Sequence, residues 1–120
     1  MTQHIKAAFL TGHELLAGFV ANQANIDRID AVAQAMVTCF ESGRKVIICG
    51  NGGSSCDAMH FAEEFTGRFR KNRKPLPVIA LSDSSHITCV GNDYGFEAIF
   101  SRGVEAYGKA GDMFIGLSTS

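Results

Sequence analysis

Apolar positions recur at steps of three and four along the first forty residues. From Ile5 to Val20 they are Ala8, Phe9, Leu15, Leu16, Phe19 and Val20, the spacing of an amphipathic helix. A second helix follows: Asn25 is placed to cap it, Ile26, Ile29, Val32, Ala33, Met36, Val37 and Phe40 form its apolar stripe, and Gly43 supplies the left-handed residue that stops it. The period then changes. Val46-Ile47-Ile48-Cys49 is apolar without a polar face, as in a parallel strand covered on both sides, and Pro77-Val78-Ile79-Ala80-Leu81 and Met113-Phe114-Ile115-Gly116-Leu117 repeat it. Helical stretches over about Ser55 to Arg70 and about Glu97 to Tyr107 lie between these runs. The alternation predicts right-handed βαβ units and a parallel sheet in an α/β domain.

Each strand run ends in small polar residues: Gly50-Asn51-Gly52-Gly53-Ser54, Ser82-Asp83-Ser84-Ser85 and Ser118-Thr119-Ser120. Ligands of parallel sheets bind outside the carboxyl ends of the strands, so the three clusters are expected to converge.

Composition narrows the partners. A chain of 120 residues, 46% apolar and 19% charged, fits one globular domain. A net charge of −1 gives no general attraction to nucleic acid or anionic membrane, so anion binding must come from local geometry. No apolar run approaches the roughly 20 residues that span a bilayer, and the N-terminus lacks the parts of a signal peptide. A cytoplasmic protein with no membrane or nucleic-acid partner is expected. Cys39, Cys49, Cys56 and Cys89 show no C-x-x-C spacing and are expected to be reduced.

The candidate chemistry begins at the first glycine cluster. Ser54 or Ser55 can cap the following helix while Gly52 and Gly53 let the backbone approach an anion, although the same residues also suit a plain tight turn. The segment lacks the Lys-Ser/Thr pair of a Walker loop and the spacing of a dinucleotide fingerprint. Further along, Asp57, His60, Phe61 and Glu64 fall on one helical face. His60 and Glu64, four residues apart, suit either a surface pair or two ligands of one metal ion, whose catalytic form needs a third protein ligand. Ser118-Thr119-Ser120 is a second anion cradle or a helix-cap cluster, and Asn92-Asp93-Tyr94-Gly95 reads as a turn carrying a carboxylate. Arg68, Arg70, Lys71, Arg73 and Lys74 form a basic run at a helix end, where cations complement the dipole and remain solvated.

Cys49-Gly50-Asn51-Gly52-Gly53-Ser54, Cys56-Asp57-Ala58-Met59-His60-Phe61-Ala62-Glu63-Glu64, Thr66-Gly67-Arg68, Val90-Gly91-Asn92-Asp93, Phe100-Ser101-Arg102 and Ser118-Thr119-Ser120 together resemble the bacterial phosphoheptose isomerases of the sugar isomerase (SIS) fold. The resemblance runs from the N-terminal helices to the last residue. It implies a three-layer α/β/α fold with a parallel sheet preceded by N-terminal helices, here residues 1–43 as the helical part and 44–120 as the first βαβ units of one SIS domain. It implies a cytoplasmic homotetramer that converts sedoheptulose 7-phosphate to glycero-manno-heptose 7-phosphate, toward lipopolysaccharide, with zinc as cofactor.

By matching position, Asn51, Gly52, Gly53, Asn92 and Asp93 would contact the sugar, and Ser118, Thr119 and Ser120 would hold its phosphate. His60 and Glu64 would bind the metal. Glu64 would also touch substrate and move the proton between C1 and C2. The family continues past this Ser-Thr-Ser with a helix bearing a glutamine and a histidine that complete the site, so the chain is expected to be C-terminally incomplete and inactive alone. SIS relatives that bind the replication initiator, or that sense sugar phosphates without isomerising them, are the alternatives. The first of these lack the His60 and Glu64 combination.

Overall fold

Thr2–Ala21 forms α1 and Gln23–Glu41 forms α2 in a computed structural model that describes residues 1–119, so the Ser120 reading lies outside the described residues. The turn between these helices is built on asparagines. Asn22 Oδ1 accepts from the N–H of Ala24 at 3.2 Å, and Asn25 Nδ2 donates back to the Phe19 carbonyl at 3.0 Å. Asn22 therefore caps α2 in place of Asn25, because α2 starts at Gln23, three residues before its apolar stripe begins at Ile26. Residues 1–35 make one compact unit, in which Phe9, Leu15 and Leu16 are exposed; the second unit runs from Met36 onward.

Within the second unit, β1 (Val46–Gly50) is followed by α3 (Gly53–Thr66), β2 (Val78–Ala80), α4 (Ser84–Asp93), a 3-10 turn at Phe96–Ala98, α5 (Ile99–Tyr107) and β3 (Met113–Leu117). The three strands are parallel in the order β2-β1-β3, with Ile48 opposite Ala80 on one side and Ile115 on the other. Every residue of β1 is buried. On one face Val46 and Ile48 pack with Met36 and Cys39 of α2, Ala58 and Ala62 of α3, and Val78. On the other, Ile47 and Cys49 meet Leu81 and, from α5, Phe100 and Val104. Helices thus cover both faces, giving the expected three layers. β2 and β3 depart from the expected double coverage: they flank β1, and Ile79 and Phe114 are exposed.

Three further features differ from the sequence reading. α3 ends at Thr66 rather than near Arg70, because the N–H of Gly67 folds back to the Glu63 carbonyl at 2.7 Å and Arg70 takes a φ of 62° in the loop beyond. Arg73 is half-buried against that helix end rather than solvated. The unpredicted α4 begins where Asp83 Oδ1 accepts from the N–H of His86 at 2.8 Å. Hydrogen bonds from the Ser85 hydroxyl and then the His86 N–H hold the Asp83 carboxyl below its ordinary range. α4 is tied to α5 by His86 Nε2, 3.0 Å from the Ile99 carbonyl oxygen.

Gly50 makes the handover from β1 to α3 possible. A Cβ on this residue would lie 2.6 Å from the Ser54 carbonyl oxygen, inside any real contact, and Gly52 caps the helix with φ 55°. Ser54 and Ser55 are consequently first-turn residues rather than caps: their N–H groups donate to the carbonyls of Asn51 and Gly52, each at 3.0 Å.

At the opposite edge of the sheet, Asp112 secures the starts of β1 and β3. It accepts from the Lys45 N–H at 3.0 Å, from the Lys109 N–H at 2.8 Å and from the Lys45 ammonium. The Lys45 side chain, then its backbone N–H, holds the Asp112 carboxyl down from 3.8 to about 2.

Two stability predictions follow from these two places. A depressed carboxylate stabilises the fold above its unfolded pKa, and that contribution fades as pH falls through the folded one. The gap in melting temperature between wild type and Asp112→Asn should be open at pH 7 and close between pH 4 and pH 2, as followed by circular dichroism. Gly50→Ala should cost about 1–3 kcal/mol in urea unfolding as the backbone shifts. Gly53→Ala, whose Cβ would meet nothing within 4 Å, should change stability by no more than about 0.5 kcal/mol.

Candidate functional site

β1 and β3 run side by side with Gly50 opposite Leu117, so Asn51 and Ser118 leave the sheet together at its carboxyl edge. Between them lies a cleft of about 420 Å³, lined by Gly50, Asn51 and Ser54 from the glycine turn, Ser118 and Thr119 beyond β3, and a wall that includes Phe100. This volume is within the range of small-molecule sites. The first and third polar clusters have converged as expected, whereas the second, Ser82 to Ser85, lies beyond β2 and caps α4.

None of the residues lining the cleft carries a charge at neutral pH. Burial raises the pKa of the Cys49 thiol at its floor, which keeps it protonated. An anion there meets hydroxyls, the Asn51 amide and the positive end of α3. Gly52 borders a second hollow of about 220 Å³ that shares Gly50, Asn51 and Phe100 with the cleft, while Gly53 opens α3.

His60 and Glu64 come together further along α3. His60 Nε2 is 3.2 Å from Glu64 Oε1, and Glu63 Oε1 stands 3.8 Å from the same nitrogen. Glu63 was missed as a donor, although it sits in the same motif and its i, i+3 spacing to His60 was the available signal. The three donor atoms lie within 4.8 Å of one another. Zinc bonds of about 2.0–2.2 Å in tetrahedral geometry require donors about 3.3 Å apart, so the His60–Glu64 spacing matches as it stands while Glu63 needs a side-chain shift to join the group. Of the other face residues, Phe61 turns to the core and stacks on Phe65 at 4.8 Å between ring centroids, while Asp57 is exposed.

Asn92 and Asp93 occupy the last turn of α4 rather than a loop, and the turn proper begins at Tyr94. Asn92 Nδ2 donates to Asp93 Oδ1 at 2.8 Å, and neither residue lines the cleft. Glu64 also lies apart from it, since ten residues of α3 separate it from Ser54, about 15 Å of helical rise.

No helix among the described residues is long and apolar enough to cross a membrane. Against known proteins, residues 11–120 match the SIS domain. The chain is 61% identical over 114 residues to a phosphoheptose isomerase of Fusobacterium nucleatum, covering 95% of this chain and 59% of the relative. It is 59% identical over 107 residues to one from Enterobacter, covering 89% of this chain and 56% of that relative. Two solved phosphoheptose isomerases superpose on all of it: one from Neisseria gonorrhoeae with TM-score 0.84 and 39% identity, and one from Francisella tularensis with TM-score 0.86 and 40% identity. The chain spans 62% and 63% of those two structures, so it is a little over half the length of its relatives. With the sheet, the cleft and the match over residues 11–120 in agreement, the chain belongs to the SIS-domain family.

Proposed function

We propose that this chain carries the phosphate-binding half and part of the reactive half of a sugar-phosphate isomerase, which interconverts sedoheptulose 7-phosphate and glycero-manno-heptose 7-phosphate for lipopolysaccharide. The observation that carries the reading is the cleft in which Asn51 and Ser54 face Ser118 and Thr119 with no charged side chain among its lining. Such a lining suits a phosphate recognised by hydrogen bonds and a helix dipole. The relatives named phosphoheptose isomerase support the substrate class.

In this reading Ser118, Thr119 and Ser120 hold the phosphate. Asn51, Gly52 and Gly53 orient the chain of the sugar, and Asn92 with Asp93 reaches its hydroxyls. Glu64 removes the proton from one of the two reacting carbons and returns it to the other, while the carbonyl oxygen gains a proton and the neighbouring hydroxyl loses one, so that the open-chain sugar passes through an ene-diol. His60 and Glu64, with Glu63 in reach, would hold zinc, which when bound polarises the oxygen next to the carbon that loses its proton. We take the homotetramer from the resemblance; in it the carboxylate of one copy would serve the cleft of another, a reading supported by the roughly 15 Å of helical rise between Ser54 and Glu64 within one chain. The apolar side chains exposed on α1 and α2 support such an assembly. The compartment proposed is the cytoplasm.

Purified protein, as this chain and as the longest natural reading frame containing it, is incubated with sedoheptulose 7-phosphate while aldose formation is followed by NMR. Conversion by the longer form is expected; binding without conversion overturns the enzymatic reading. Glu64→Gln should lower kcat by about 10²–10⁴-fold, and near-normal turnover removes Glu64 from the proton transfer. Thr119→Val should raise KM for the sugar phosphate about tenfold, the loss of roughly one hydrogen bond to a charged group, and leave kcat within about threefold.

A further inference from the structure

We propose that Arg73 is a positioning residue for Glu64, an inference that rests on the role given to Glu64 above. α3 ends at Thr66, only two residues past Glu64, so the reactive carboxylate stands on a last turn whose carbonyls have no partners within the helix. Such a turn frays unless something outside it accepts the task. The Glu63 carbonyl is taken by the N–H of Gly67 at 2.7 Å. Arg73 donates to the next two: Nη2 to the Glu64 carbonyl at 2.6 Å and Nη1 to the Phe65 carbonyl at 2.8 Å, the latter also accepting the Leu76 N–H at 3.0 Å. Nη1 also reaches the carbonyls of Lys74 at 3.1 Å and Gly67 at 3.4 Å, which binds the returning loop to the same point.

The guanidinium is half-buried and lies 6.0 Å from the centroid of the Phe65 ring, which in turn packs on Phe61 and Phe40. Its cation stands at the negative end of the α3 dipole. The fork of two nitrogens is what spans two successive carbonyls, and an ammonium cannot reproduce it. Arg73 touches no donor atom of the metal group. It acts through the backbone of Glu64, fixing where that carboxylate stands relative to His60.

The test uses the full-length protein, with Arg73→Ala and Arg73→Lys compared with wild type and with Lys71→Ala, an exposed neighbour in the same loop. Measured for each are kcat and KM on sedoheptulose 7-phosphate, the Zn²⁺ dissociation constant from chelator competition, and circular dichroism with melting temperature. Expected for Arg73→Ala is a kcat lowered about tenfold with KM within about twofold, and Zn²⁺ bound about tenfold more weakly, the scale on which ligand supports act. Arg73→Lys should move in the same direction, and it supplies the readings if the alanine variant does not fold. Lys71→Ala should match wild type. A lower melting temperature with kcat and Zn²⁺ affinity unchanged overturns the inference, because Arg73 is then a structural cap only. Glu64→Gln is run alongside. Full activity in that variant overturns the role of Glu64, and weaker Zn²⁺ binding in Arg73→Ala would still support positioning. If in addition wild type binds no Zn²⁺, both readings fall.

Discussion

The organisation of the second unit depends on β1 being buried on both faces and paired on both edges. Val46, Ile47 and Ile48 are at most 1% exposed, and burying each such side chain contributes about 1.5–3 kcal/mol. That burial recruits α3 and the end of α2 to one face and α5 to the other, so one five-residue strand organises three layers. It also sets a problem at Gly50, where the chain must leave a packed interior and start a helix at once. A residue without a Cβ is the solution, because the Ser54 backbone fills the space where a side chain would stand.

The strands were legible because a doubly covered strand has no polar face, and the helices of the first forty residues because their apolar stripe has a helical period. α4 was not legible for the converse reason. Ser84–Asp93 contains Ile87, Thr88, Val90 and Gly91, all weak helix formers, and its only start signal was Asp83, hidden within a cluster already explained as a strand end. Reading Asn92-Asp93 as the start of a turn followed from that miss. The end of α3 was misplaced for a different reason. Arg68 to Lys74 looks like the charged close of a helix, but the stop comes from Gly67 and from a cation that returns from the loop, and neither leaves a periodic trace.

Of the candidate site, local spacing indicated the two polar clusters that line the cleft and the His60–Glu64 pair. It could not indicate that Phe100 walls the cleft or that Glu64 stands some 15 Å of helix away from Ser54, because these are facts of packing and length. Glu63 shows the intermediate case. Its spacing to His60 is as good as that of Glu64, yet only the side-chain positions bring all three donors together.

The two edges of the sheet divide the electrostatic work. At the amino edge Asp112 takes the Lys45 N–H and ammonium immediately before β1 and β3 begin, and the register that follows sets Val46 against Met113. Carried along both strands, the same register sets Gly50 against Leu117 and so delivers Asn51 and Ser118 to one cleft. A slip of one residue would turn Phe114 and Ile115 to opposite faces and move Ser118 off its partner. A charged clamp at one edge therefore specifies a neutral cleft at the other. The separation is physically sensible, because a carboxylate close to the cleft would repel the anion we propose for it.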